Sequence, residues 1–228
     1  MKKAGLFIAV VLFFGLIYSQ ETETKRPDYK KIEKEIKKKK SAFYYKKLFK
    51  RYIGGDTTFT IEEKRHLYYG FSFQDKYSPY GLSPYSDSLR GILEKPELTG
   101  ADYQSIISLS NLILENNPFD LRTLNYLAYA SGNIGDTAQE EDCIYKTFLI
   151  IDAIMSTGDG ISEETAFSVI YVAHEYDLLD ILGFQFGGEQ SLITTGYDYL
   201  TLAENEFGIE GFYFEISRCL NALDGLFK

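Results

Sequence analysis

The segment from Asn116 to Thr157 constrains the fold more than any other part of the sequence. Leu124 and Leu127 stand at helical spacing within an apolar run, which predicts an amphipathic helix. Gly135 can end that helix in a left-handed backbone conformation, which most other residues resist. Asp136 follows, and its carboxylate is suited to cap the amino end of a second apolar helix. The segment is therefore predicted to form two antiparallel helices joined by a tight turn.

The spacing within this hairpin resembles that of the tetratricopeptide repeat (TPR), a helical repeat of roughly 34 residues. Pro118, the pair Leu127-Ala128 and Gly135 fall where that repeat expects them. However, Ser131 stands where the usual aromatic residue belongs, and Glu140 replaces the usual small residue of the second helix. Two interpretations stay open: a degenerate single repeat, and a helical hairpin with no relation to the repeat.

The first 19 residues are predicted to be a secretory signal peptide. A basic start at Lys2-Lys3 precedes an apolar run from Ala4 to Tyr18, and cleavage is expected near Ser19-Gln20. The run is shorter than the roughly 20 apolar residues that span a bilayer, although an uncleaved anchor is the alternative. We therefore expect an exported protein, periplasmic or extracellular, with no membrane contact after cleavage.

Charge is distributed very unevenly along the chain. Residues 20–52 hold 13 Lys and Arg against 5 Asp and Glu, whereas residues 53–228 hold 9 against 28. The block Lys37–Lys40 has the composition of a nucleic-acid or anionic-lipid site, but a solvated lead resting on the acidic body is the preferred interpretation. We therefore assign 20–40 as a lysine-rich helical lead or linker and 41–228 as one globular domain, with no nucleic-acid partner.

The body is predicted to be helical to about residue 157 and to consist mainly of strands over 166–217. Facing stripes of the central hairpin should bury four side chains together: Leu124, Leu127, Ile144 and Phe148. Aromatic and β-branched residues with glycine-rich breaks predict the strands. The strand-like segments are 167–172, 178–186, 191–194, 197–202 and 212–216. The fold class is therefore α+β, with N-terminal TPR-like helical hairpins, a small antiparallel sheet and a short C-terminal helix.

An aromatic loop, residues 71–85, supplies the candidate binding residues. It contains two prolines, which stiffen the backbone, and three tyrosines chosen as binding candidates: Tyr77, Tyr80 and Tyr85. Tyrosine offers rigid apolar area with a polar tip, which suits a surface for a protein or peptide partner. The competing interpretation is that these rings seal the helical core.

His174 and Glu175 are the candidate catalytic residues, because an imidazole beside carboxylates can act as a general base. Asp177 and Asp180 lie close by in sequence. No His-Glu-x-x-His or Gly-x-Ser-x-Gly motif accompanies them, so neither a metal site nor a cofactor is expected. The alternative is a structural histidine bonded to a backbone group.

The two cysteines, Cys143 and Cys219, are far apart in the sequence and both lie in apolar helical settings. One disulfide bridge is conceivable in an exported chain. Free buried thiols that pack as small apolar side chains are the other interpretation.

Several short motifs resemble an uncharacterised family that is common in exported proteins of Bacteroidota and is labelled only as a domain of unknown function. The motifs are Leu67–Gly70, Tyr77–Gly81, Gly158–Gly160, His174–Tyr176 and Tyr213–Ser217. The resemblance covers about residues 41–228 and implies an envelope location without an assigned activity. The leading hypothesis is a binding or scaffold module that uses the TPR-like helical face and the aromatic loop. The alternative is a hydrolase with His174 and neighbouring carboxylates in a cleft.

Overall fold

The computed structural model describes residues 24–194 and 196–226, so the predicted signal peptide lies outside the described residues. The first part of the chain is helical. Its helices are α1 Tyr29–Ile36, α2 Tyr45–Ile53, α3 Ile61–Phe71, α4 Ser86–Leu93, α5 Gly100–Leu114, α6 Leu121–Asn133 and α7 Thr137–Met155. The remaining elements are β1 Phe167–Ser168, α8 Ala173–Leu182, β2 Phe186–Thr194, β3 Tyr197–Leu202, β4 Gly211–Glu215 and α9 Ser217–Leu226. The α+β fold class is confirmed.

The predicted central hairpin is formed by α6 and α7. Gly135 has a φ of 81°, in the left-handed region that favours glycine. Asp136 caps α7, because its Oδ1 accepts a hydrogen bond from Gln139 N at 3.1 Å. Leu124 and Leu127 are buried as predicted. The relation of this hairpin to the tetratricopeptide repeat stays a prediction.

The buried face of α7 differs from the predicted one. Ile144 and Phe148 are only half-buried, although Ile144 still packs against the core. Leu149 and Ile150 are fully buried instead. The reason is that α7 contacts α3 as well as α6, so its apolar face has to serve two neighbours and turns between them. A hairpin considered alone cannot reveal the second neighbour.

The N-terminal lead is packed into the protein. Ile32 and Ile36 of α1 belong to the main hydrophobic core. Both residues precede residue 41, the predicted start of the globular domain. A Cβ atom at Gly70 would lie 3.1 Å from Ile36 Cγ2, which shows how closely α1 approaches α3. The side chains of Lys37–Lys40 are exposed to solvent.

The sheet has the strand order β1-β4-β3-β2. The pairs β2–β3 and β3–β4 are antiparallel, but β1 runs parallel to β4, so the sheet is mixed and not purely antiparallel. The parallel pair arises because the chain leaves β1, crosses through α8 and two strands, and returns in the same direction.

The predicted strand at 178–186 was wrong. Residues 178–182 of this segment are the end of α8, and Gly183, with a φ of 82°, ends that helix. Leu178 and Leu179 are both buried, and a short apolar run of this kind does not distinguish a strand from a buried helix. Over the described parts of the chain, no helix is both long and apolar enough to cross a membrane.

Candidate functional site

His174 is held inside the aromatic core. Its Nδ1 lies 2.7 Å from the Tyr68 hydroxyl, and its Nε2 lies 2.9 Å from the carbonyl oxygen of Phe119. The carbonyl can only accept, so Nε2 carries the proton and Nδ1 accepts from Tyr68. The Tyr68 hydroxyl in turn accepts from Ile170 N at 3.2 Å. We call these four groups the closed network, because each of these polar atoms has a partner.

Burial dominates the chemistry of this imidazole. Only 1% of His174 is exposed, and burial lowers its pKa to about 3, so the ring is neutral at physiological pH. The nearby carboxylate of Asp177 is occupied by Arg122, whose Nη2 donates to Oδ1 at 2.6 Å. Burial raises the pKa of Asp177 to about 6 against the opposing effect of Arg122. His174 therefore meets no free carboxylate in a cleft, and the hydrolase hypothesis gains no support.

Glu175 follows His174 in sequence but belongs to a different environment. Gln190 Nε2 donates to Asp198 Oδ2 at 2.6 Å and, weakly, to Glu175 Oε2 at 3.5 Å. Tyr176 Oη donates to the other end of the same amide at 2.5 Å. Among the described residues, the buried Glu175 Oε1 has no hydrogen-bond partner. Burial, and then the charge of Asp198, raise the pKa of Glu175 to about 9, so this carboxyl is protonated at neutral pH.

The three tyrosines of the aromatic loop are placed differently. Tyr77 is half-buried and donates from its hydroxyl to the carbonyl of Ile170 at 2.7 Å, so it seals the core. Its ring meets Tyr171 edge-on at 5.6 Å. Tyr80 and Tyr85 are 43% and 36% exposed, and their predicted binding role stays a prediction.

A cavity of about 260 Å³ opens at the start of the same loop. Its walls come from α2, the end of α3, the loop and the turn before α6. The lining residues are Tyr45, Phe49, Phe71, Gln74, Asp75, Lys76, Glu115 and Pro118. We call this cavity the α2–α3 pocket. Three of the eight lining residues are aromatic, and the four polar or charged ones come from the loop and from Glu115.

Tyr45 is the unusual residue of this pocket. It is buried, and its hydroxyl has no hydrogen-bond partner in the described part of the chain. Burial raises the pKa of this phenol well above its usual value, so the hydroxyl keeps its proton and remains a donor. Native proteins pair most buried polar atoms, so this unpartnered donor is an exception to the usual pattern. The hydroxyl oxygen is itself buried, so it does not face the open side of the cavity.

Two hydrogen bonds fix the polar side of the pocket. Gln74 Nε2 donates to the Gly70 carbonyl at 3.0 Å, and Lys76 Nζ donates to the carbonyl oxygen of Glu115 at 2.9 Å. The second bond joins the aromatic loop to the turn before α6, so the two sides of the pocket are held together. The cavity is therefore formed without a ligand.

The α2–α3 pocket was not predicted from the sequence. The predicted binding residues, Tyr77, Tyr80 and Tyr85, do not line the cavity. The available signal was the aromatic pair Tyr45 and Phe49 on one face of a basic helix, and their rings stack at 5.7 Å. That pattern alone is equally typical of a face buried in the core.

Metal and thiol chemistry find no structural basis in the described residues. No group of three or more His, Cys, Asp or Glu side chains there is arranged to hold a metal ion. Cys143 and Cys219 are free and buried, so they do not form the disulfide considered from the sequence. Burial raises the pKa of both thiols to about 12, which keeps them protonated.

Comparison with known proteins gives one match. The family model described as "Domain of unknown function (DUF4919)" matches residues 30–224, which includes α1 and every later helix and strand at least in part. Neither the curated proteins nor the solved structures contain a match to this chain. The predicted resemblance to a family that is labelled only as a domain of unknown function is thus confirmed. The chain belongs to the DUF4919 family, a domain of unknown function.

Proposed function

We propose that this protein is an exported binding module that holds an apolar side chain of a peptide or protein partner in the α2–α3 pocket. The observation that carries the proposal is the preformed cavity of about 260 Å³, with three aromatic residues, Tyr45, Phe49 and Phe71, in its lining. Apolar pockets with a few polar groups are the usual form of binding sites in proteins. Export and an envelope location are supported by the sequence of residues 1–19 alone.

The size of the pocket favours one anchoring side chain rather than a whole cofactor. Pockets for complete small molecules range from about 300 to 1,000 Å³, and this cavity is smaller. Protein interfaces gain much of their affinity from one or two apolar or aromatic anchors that fill such pockets. Phe49, Phe71 and Pro118 offer the apolar contacts that an anchor of leucine or phenylalanine type requires.

Polar groups around the anchor give the site a means to bind peptide backbone. Gln74 and Lys76 line the same pocket and carry amide and ammonium donors that can bond to a peptide carbonyl. Asp75 is exposed and its carboxylate can accept from a peptide N–H. The proposal therefore specifies an apolar side chain flanked by amide groups.

A titration with model amino acids tests the pocket. We expect N-acetyl-phenylalaninamide to shift the NMR signals of Phe49, Phe71 and the 74–76 amides, and N-acetyl-alaninamide to have little effect. Asp75→Trp should place a ring over the pocket and abolish the shifts. Glu97→Trp is the matched control, because Glu97 is also exposed but does not line the cavity. Shifts that persist in Asp75→Trp, or shifts confined to other regions, would refute the pocket as the binding site.

The proposed export is tested separately by sequencing the amino terminus of the natural protein from its host. We expect the chain to begin near Gln20 and to be recovered from the periplasm or the medium. Recovery of a chain that still begins at Met1 in the inner membrane would contradict export and would support the anchor alternative.

A further inference from the structure

We infer that the outer face of α1 and α2, with the corner between them, docks on the surface of a bilayer rich in anionic phospholipids. The exposed lysines of this face are Lys30, Lys31, Lys34, Lys37–Lys40, Lys46, Lys47 and Lys50. We call it the lysine face. It is separate from the α2–α3 pocket and does not depend on the function proposed for that pocket.

Helix geometry places these lysines away from the core. In α1 the buried residues are Ile32 and Ile36, and in α2 they are Tyr45, Leu48 and Tyr52. Both helices pack against α3 through these residues, so their lysines point outwards. Residues 37–44 connect the two helices, and the first four of them are lysines, so the positive charge continues beyond the end of α1.

The protein itself leaves this charge almost uncompensated. Lys37 pairs with Glu33, but the other lysines of the face form no ion pair with the described residues. Packing of α1 did not require four consecutive lysines at a solvent-exposed corner, so the core does not explain their presence. Their mutual repulsion is relieved when the face meets a negatively charged surface.

The chemistry of the face favours headgroups over nucleic acid. Specific recognition of nucleic acid relies strongly on arginine, whose planar fork binds phosphates and bases through two hydrogen bonds. Both arginines of this region are engaged within the protein: Arg26 binds the carbonyl of Glu163, and Arg51 pairs with Asp56 and Glu63. Lysine acts as a mobile point charge, which suits a fluid layer of headgroups.

The remainder of the chain determines the orientation. Residues 53–228 hold 9 Lys and Arg against 28 Asp and Glu, so an anionic membrane repels the body and attracts only the lysine face. Ile53, at the end of α2, is 56% exposed beside this charge. An apolar side chain at that position can enter the headgroup region once the lysines have brought the helix to the surface.

Vesicle sedimentation tests the inference with the full chain. We expect binding to phosphatidylcholine vesicles that contain phosphatidylglycerol, and weaker binding as salt is raised, because salt screens the charges. Vesicles of phosphatidylcholine alone measure any contribution from the apolar segment Ala4–Tyr18. Replacing Lys37–Lys40 by Gln should lower partitioning on anionic vesicles by on the order of a thousandfold, since each lysine near the surface contributes about 1 kcal/mol.

Two control variants separate local charge from net charge. Replacing the same four lysines by Arg should preserve binding to anionic vesicles. Placing four Glu residues on exposed positions of α5 changes the net charge equally and should have a much smaller effect; these positions are Gln104, Ser105, Ser108 and Asn111. Equal binding to both kinds of vesicle, or unchanged binding after the Gln substitutions, would overturn the inference. Binding of a DNA duplex without binding of anionic vesicles would also overturn it.

Discussion

The closed network and the α2–α3 pocket lie on two sides of one aromatic cluster, but their buried tyrosines are used differently. Phe71 lines the pocket and packs edge-on at 5.2 Å against Phe119, whose carbonyl binds His174. In the closed network, the Tyr68 hydroxyl both donates and accepts. In the pocket, the Tyr45 hydroxyl has no partner among the described residues.

This difference bears on the stability of the two regions. A buried polar group with every hydrogen bond made stabilises a single arrangement of its neighbours, and nothing is left for a ligand. A buried donor without a partner instead costs about 1–3 kcal/mol of stability. The histidine that suggested catalysis has both ring nitrogens bonded inside the core, and the proposed ligand site lies in a part of the sequence that carries no catalytic motif.

Removal of the histidine should give the largest effect. His174→Leu leaves the Tyr68 hydroxyl without its acceptor and the Phe119 carbonyl without its donor, so we expect a loss of about 2–4 kcal/mol in the free energy of unfolding. Urea unfolding measures it, with the exposed neighbour Ala173→Ser as control. A loss below about 0.5 kcal/mol would show that the network does not stabilise the fold.

Removal of one hydroxyl from the same network should have a smaller effect. Tyr68→Phe keeps the ring but leaves His174 Nδ1 and Ile170 N without their partner, so we expect a loss of about 1–3 kcal/mol in urea unfolding. Tyr45→Phe is the matched variant. It removes a buried hydroxyl that has no partner and so relieves an unpaid desolvation cost, and we expect a gain of about 1–3 kcal/mol rather than a loss. Equal losses in the two variants would refute the distinction between the regions.

The pH dependence of stability should separate His174 from its neighbour Glu175. The pKa of His174 is lowered from 6.5 to about 3, so its neutral form contributes stability that is lost as pH falls through this range. The pKa of Glu175 is raised from 4.5 to about 9, so its contribution is fully present below pH 4.5 and is lost as pH rises towards 9.

Replacement of Glu175 tests the expected effect of its raised pKa on stability. Between pH 5 and 8, Glu175→Gln should gain stability relative to the wild type, by at most about 1.4 kcal/mol for each pH unit. Urea unfolding at several pH values measures this difference, and Asp180→Asn, an exposed carboxyl on the same helix, provides the control. A difference that stays constant over this range would mean that the pKa of Glu175 is not raised.

The features that were predictable from the sequence are those determined locally. Thr60 and Glu63 form a capping box at the start of α3, and the residues that bond to each other are only three positions apart. Gly135 and Asp136 determine the turn of the hairpin in the same way. The α+β class followed from the separation of helical and strand-like segments along the chain.

The features that were missed depend on contacts between distant segments. Tyr77 and Tyr80 are three residues apart in one loop, yet only Tyr77 reaches a buried carbonyl, at Ile170. The pocket joins residues 45–49 to 71–76 and 115–118, and no periodicity in the sequence predicts that approach. The end of helix α8 was mistaken for a strand. A short apolar run is compatible with either element, and contacts with the surrounding structure decide between them.

Intermolecular nuclear Overhauser effects between N-acetyl-phenylalaninamide and the protein test the central proposal most directly, because they identify the side chains that touch the probe. The account predicts contacts from the phenyl ring of the probe to the rings of Phe49 and Phe71. It also predicts that these contacts disappear in Asp75→Trp. Contacts to Tyr80 and Tyr85 instead, or no contacts to the walls of the α2–α3 pocket, would contradict it.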